Sequence, residues 1–168
     1  MKFLTGLILA LPALGLAQLS NNNLGATPAQ RGVISQAQAL RAISVAASKA
    51  VNISVAENIA IVDPAGDLVA FLRQDSAFPA TTEVAIKKAK TVVGFNGVFT
   101  SAALYNVTQP GGALYGLDNT NGGLIVFGGG LPIYIDGRFV GAIGVAGGLA
   151  DQDVEVATAG AKAIGTTA

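Results

Sequence analysis

Lys88 is the side chain whose placement most nearly demands a chemical role. It lies in the run Ala85-Ile86-Lys87-Lys88-Ala89-Lys90-Thr91-Val92. At helical spacing it shares a stripe with Ala85, Val92 and Phe95, while Lys87 and Lys90 project elsewhere. A lysine on a core-facing stripe needs an anionic partner or a depressed pKa, unless its stem carries the amine out to water. Two readings stand: a buried or interfacial ion pair, and an amine anchoring an anion in a pocket. Asp151 and Asp153 open a C-terminal helical pattern. Acids there are favoured by exposed N–H groups and the helix dipole. Asp153 could equally turn toward Lys88 or a ligand. Arg73 and Asp75 close a strand, where a solvated strand end is the default. In a catalytic reading Lys88 holds an anionic group, and Asp153 or Asp75 moves protons.

Glycine is clustered at Gly111-Gly112, Gly122-Gly123, Gly128-Gly129-Gly130 and Gly147-Gly148. The triplet joins strand to strand, so it is not the strand-to-helix fingerprint of a nucleotide site. Gly147-Gly148 does lie between a strand and a helix, where backbone N–H groups can receive an anion. Glycine also serves there simply to permit a tight turn and close approach. With Arg73, the glycines from Gly128 to Gly130 and at Gly147 and Gly148 are the ligand-binding candidates. Ala142, Gly144 and Ala146 make a small-residue face, against which a helix, a second subunit or a flat ligand must come close.

Absent residue types exclude more than the present ones assign. The chain has no His and no Cys, and its one Met is Met1. A Ser-His or Cys-His nucleophile is therefore excluded, as are zinc and copper sites built on those ligands. No metal site is expected. Haem could be ligated only by Tyr, a carboxylate or Lys, or held without a side-chain ligand. The ten basic and ten acidic side chains balance and form no basic stripe, which excludes a nucleic-acid footprint. Residues are 51% apolar and only 12% charged. A small domain struggles to bury that much apolar surface alone, so a homo-oligomer is expected.

The elements that must position these residues begin after an export signal. Lys2 precedes an apolar run from Phe3 to Leu16, and Gly15-Leu16-Ala17 puts small residues before a cleavage point at Gln18. Residues 1–17 thus read as a secretory signal peptide. The run is shorter than the roughly 20 residues of a membrane span. A secreted protein without membrane attachment after cleavage is expected. Residues 18–33 read as a flexible leader and residues 34–168 as one domain. Asn52-Ile53-Ser54 and Asn106-Val107-Thr108 are glycosylation sequons.

Within the domain, Ser35 and Gln38 form a capping box ahead of a helix over 36–51. Strands are expected at 55–62 and 68–73, joined by the turn Asp63-Pro64-Ala65-Gly66-Asp67. A helix over 80–95 and a short one near 100–106 lead into a long turn-rich loop over 107–122, of a kind often functional. Strands at 124–127, 131–135 and 139–146 follow, the last two joined by Asp136-Gly137. A final helix covers 151–164. Hairpins dominate, so the class is α+β with an antiparallel sheet.

An ordered series of motifs runs through this frame. It comprises Ile61-Val62-Asp63-Pro64-Ala65-Gly66-Asp67-Leu68, Arg73-Gln74-Asp75, and Ala85-Ile86-Lys87-Lys88-Ala89-Lys90-Thr91. Phe127-Gly128-Gly129-Gly130-Leu131-Pro132, Asp136-Gly137 and Val140 to Gly148 follow, then Asp153. In these motifs the chain resembles the GlcG/HbpS-like haem-binding (haem-degrading) family, which includes the C-terminal domain of PduO-type proteins. The resemblance covers about Ile34 to Ile164. It implies a profilin-like α+β fold, a five-stranded antiparallel sheet flanked by helices, homo-oligomers, and haem as cofactor or ligand. Lys88, Asp75 and Asp153 carry over by position; ligation of haem by His cannot. The function implied is a secreted oligomeric small-molecule-binding protein that takes haem or another tetrapyrrole without His. The alternatives are a cofactor-free lyase or isomerase for a small anionic substrate, and a structural oligomer without a ligand.

Overall fold

A computed structural model describes residues 25–167. The segment read as a signal peptide and the start of the expected leader lie outside the described residues. The rest of the leader is not free. Gly32 and Ile34 donate backbone hydrogen bonds to the carbonyls of Phe139 and Val140, and Ala26 is buried. The chain is therefore anchored from about Gly25, ahead of the expected start at Ile34. The apolar surface beside Phe139 holds it there.

Helix α1 (Gln36–Asn52) starts at the expected capping box: Ser35 Oγ accepts from Gln38 N at 3.3 Å, and Gln38 Oε1 accepts from Ser35 N at 2.9 Å. Its buried face is Ala39, Ala42, Ile43, Ala46 and Ala50, while Leu40 and Val51 are exposed. Small residues win that face because α4 (Ala150–Lys162) lies close against it. A Cβ on Gly160 of α4 would stand 2.9 Å from Ala42 O.

The sheet has four strands: β1 (Asn58–Val62), β2 (Leu68–Arg73), β3 (Gly130–Ile135) and β4 (Arg138–Ala146). Their order is β2-β1-β4-β3 and every pair is antiparallel. The β1–β2 turn is held by Asp63 Oδ1, which accepts from Ala65 N and Asp67 N at 2.8 and 3.0 Å. At the β3–β4 turn Asp136 and Gly137 both have positive φ, as a two-residue hairpin requires.

The α+β class holds, but the expected fifth strand at 124–127 does not form. The polar groups of that segment bond to a loop carbonyl and to side chains rather than to a ladder: Leu124 N donates to Asp118 O at 2.8 Å. Ile125 N donates to Thr91 Oγ1 at 3.0 Å, and Phe127 O accepts from Ser101 Oγ at 2.6 Å. Leu124–Phe127 is thus an extended strap across other elements.

Helices cover both faces of the sheet. Ile59, Ile61, Ile143 and Val145 face α1 and α4; Ala60, Val62, Ala142 and Ala146 face α2 (Thr81–Gly94). The small-residue face of β4 receives α2: a Cβ on Gly144 would collide with Ala85 O. A short 3-10 turn (Ala102–Leu104) and α3 (Tyr105–Thr108) follow α2. Asn52 and Asn106, the two sequon residues, are exposed. Among the described residues no helix is long and apolar enough to cross a membrane.

Candidate functional site

Lys88 projects from the sheet-facing side of α2 and is fully buried. Its Nζ donates to Asp153 Oδ2 at 2.5 Å and to Val145 O at 2.8 Å. It also stands 4.8 Å from the centroid of the Phe127 ring, within cation–π range. The partner that a core-facing lysine requires is therefore Asp153. The other oxygen of that carboxylate, Oδ1, accepts from Gly148 N at 3.0 Å. The anion received by the Gly147-Gly148 turn belongs to the chain itself.

Two glycines of the triplet lie against this pair. A Cβ on Gly129 would stand 2.8 Å from Lys88 Nζ, and one on Gly130 would stand 2.5 Å from Lys88 O. Gly129 also has φ +118, which a side chain disfavours. The backbone of the triplet thus roofs Lys88 closely. Ser101 pins the roof: its Oγ accepts from Gly130 N at 2.8 Å while donating to Phe127 O.

A third ionisable residue, Glu57, lies beside the Gly147-Gly148 turn that holds Asp153. It is fully buried, and neither carboxylate oxygen has a hydrogen-bond partner. A Cβ on Gly147 would stand 2.5 Å from Glu57 Oε2. Burial, and then the neighbouring Asp153 carboxylate, push the Glu57 pKa up to about 8, against the opposing pull of the Lys88 ammonium. Both effects favour the protonated, neutral form of Glu57 beside the Lys88–Asp153 pair. Burial lowers the Lys88 pKa, an effect that Asp153 opposes.

Sequence reasoning singled out Lys88 and Asp153 but passed over Glu57. Its signal was the same kind as that of Lys88. Glu57, Ile59 and Ile61 alternate along one strand, so a charged residue shares the buried face.

Arg73 and Asp75 lie elsewhere. Both are exposed and line an open depression with Ser54 and Gln74. Asp75 makes no hydrogen bond or ion pair with Lys88 or Asp153. Gln74 between them turns inward, accepting from Glu57 N at 2.9 Å and donating to Ala47 O at 3.1 Å.

Gly128, the first of the triplet, opens on a different surface. With Tyr105, Phe127, Val154, Ala150 and Asp151 it lines a hollow of about 660 Å³. That lies within the roughly 300–1,000 Å³ typical of small-molecule sites. The Phe127 ring forms part of its wall and covers Lys88 from the inside. A catalytic role for Lys88 needs a substrate at its amine. Here the amine is sealed behind Phe127 and committed to Asp153 and Val145 O. Among the described residues no cluster of His, Cys, Asp and Glu could hold a metal ion.

The model of the haem-degrading HbpS-like family matches residues 34–162. The chain belongs to that family. An uncharacterised 15.0 kDa protein of Citrobacter freundii, from the dhaT-dhaS intergenic region, is 34% identical over 74% of this chain and 87% of its own length. The corrinoid adenosyltransferase PduO of Salmonella typhimurium is 35% identical over 71% of this chain, but the match spans only 35% of that enzyme. Among solved structures, Klebsiella pneumoniae ORFY superposes with a TM-score of 0.75 at 31% identity, over 82% of this chain and 95% of that one. A PduOC:heme complex superposes with a TM-score of 0.74 at 32% identity, over 79% and 96% of the two chains. In this HbpS-like chain the buried Lys88–Asp153 pair, its glycine roof and the Phe127 hollow are contiguous.

Proposed function

We propose that this HbpS-like chain is a secreted, homo-oligomeric binding protein for a tetrapyrrole, held without histidine in the hollow over Phe127. The composition of that hollow carries the reading. Its walls are chiefly apolar, from Ala102, Phe127, Gly128, Ala150 and Val154, and its polar groups are the Tyr105 phenol and the Asp151 carboxylate. A flat apolar ring fits such walls. Hard oxygen donors suit ferric iron, and tyrosine is a known haem ligand type. Tyr105 and Asp151 are therefore the residues to hold an iron, with Phe127 and Val154 supplying the surface for the ring. When bound, haem supplies a redox-active iron whose potential its ligands tune. The PduOC:heme complex, a relative of the same fold, supports the choice of ligand class.

The hollow is open on one side, and Tyr105, Phe127 and Leu149 around it are exposed. A second copy laid over them would close the site and bury the apolar rim. The N-terminal signal pattern supports export of the chain.

Haemin titration tests this directly. A saturable Soret shift at micromolar haemin is expected, with an altered ligand-field spectrum in Tyr105→Phe. No Soret shift over that range overturns the reading.

A further inference from the structure

A second hollow lies at the Leu124 end of the Leu124–Phe127 strap, and it shares no lining residue with the first. It holds about 560 Å³ between α2 and the loop over 116–124. Ile86, Phe95, Leu117 and Leu124 make its apolar walls, and Lys87 and Lys90 contribute its cations.

The loop that closes it is built onto α2 at two points. Lys87 Nζ donates to Gly122 O at 3.0 Å and pairs with Glu83 at 3.1 Å. One turn further along, the buried Thr91 accepts from Ile125 N at 3.0 Å while donating to Lys87 O. Gly122 and Gly123 both have positive φ, and a Cβ on Gly123 would stand 3.4 Å from Lys87 Nζ. Glycine there lets the loop reach the lysine. Lys87 is thus spent on holding the wall. Lys90 makes no ion pair or hydrogen bond among the described residues. The lining carries two positive charges against the single negative charge of Glu83, so its net charge is positive and Lys90 is the cation open to a ligand.

We infer that this hollow is a second ligand site, for a small organic monoanion with a short apolar body, whose charged end meets Lys90. The apolar walls receive the body and the uncommitted ammonium receives the carboxylate or equivalent group. Neither Lys88 nor the Phe127 hollow takes part, so the site stands independently of tetrapyrrole binding.

Hexanoate is a suitable probe, followed by amide chemical-shift perturbation on the full mature chain. Saturable shifts are expected at residues of α2 and 117–124. Acetate, which lacks the body, and hexanol, which lacks the charge, bind more weakly. Lys90→Gln weakens hexanoate binding by roughly 2- to 5-fold, as for one exposed charge pair, and Lys90→Glu weakens it further. Raising salt lowers the affinity. Tyr105→Phe leaves hexanoate binding unchanged. Lys90 is exposed, so these variants disturb no buried contact. Non-saturable shifts, shifts confined to the Tyr105–Phe127 hollow, or equal binding by wild type and Lys90→Glu each overturn the proposal.

Discussion

At the scale of single residues, Glu57 turns the buried pair into a pH-sensitive group. Its carboxyl ordinarily titrates at 4.5 and is pushed up to about 8 in the fold. Between those values the unfolded chain has released the proton while the folded chain still holds it. The unfolded state then binds fewer protons, so stability falls as pH rises through that window. The fall is at most about 1.4 kcal/mol per pH unit, and above pH 8 this group contributes no further slope. Urea unfolding across pH 5 to 9 is expected to show the decline, and Glu57→Gln to remove it. An unchanged slope in the variant would place the proton on another group. The same logic explains why Lys88 and Asp153 belong together. Separating two buried charges costs far more than the pair contributes, because the survivor is left uncompensated.

At the scale of elements, close approach of backbone governs the design. Gly144 has no room for a side chain because Ala85 O of α2 occupies the place where a Cβ would go. That atom belongs to a helix backbone packed on both β1 and β4, and it cannot swing aside. Gly144→Ala is expected to destabilise by about 1–3 kcal/mol or more, read as a lowered urea midpoint with unchanged slope. Much of this level was legible in the sequence. The small-residue face on β4 announced a close neighbour, the Ser35–Gln38 box fixed the start of α1, and Asp136-Gly137 marked the hairpin. Lys88 on an apolar stripe announced an anionic partner, and Asp153 was the residue offered for it. The strap was not legible, because Leu124 to Phe127 has strand-like composition and its true partners are the hydroxyls of Thr91 and Ser101. Glu57 escaped because its strand was read for its apolar members alone. The anchoring of residues 25–33 depends on carbonyls of β4 that extend past the end of β1, at Phe139 and Val140, which no local pattern reveals.

At the scale of the whole molecule, apolar surface is left over. Val33, Leu149, Tyr115 and Phe78 are 74, 70, 69 and 64% exposed. Single exposed hydrophobes are ordinary, but Leu149 adjoins Ala150 of the Phe127 hollow, where Tyr105 is exposed too. Sedimentation of the mature chain is expected to give a mass at least twice that of the protomer. Leu149→Glu, which charges that rim without touching the core, is expected to shift the distribution toward smaller species. A monomeric wild type would remove the second-copy closure of the hollow.

The strap has one more consequence. Leu124 lines one hollow and Phe127 lines the other, three residues further along the same extended segment. Between them Ile125 is tied to Thr91, and beyond it Phe127 is tied to Ser101. Each end of the segment therefore has its own anchor, so the wall that Leu124 gives one hollow and the wall that Phe127 gives the other are held separately. The segment that declined to become a strand leaves two chemically unlike chambers sharing a common tether.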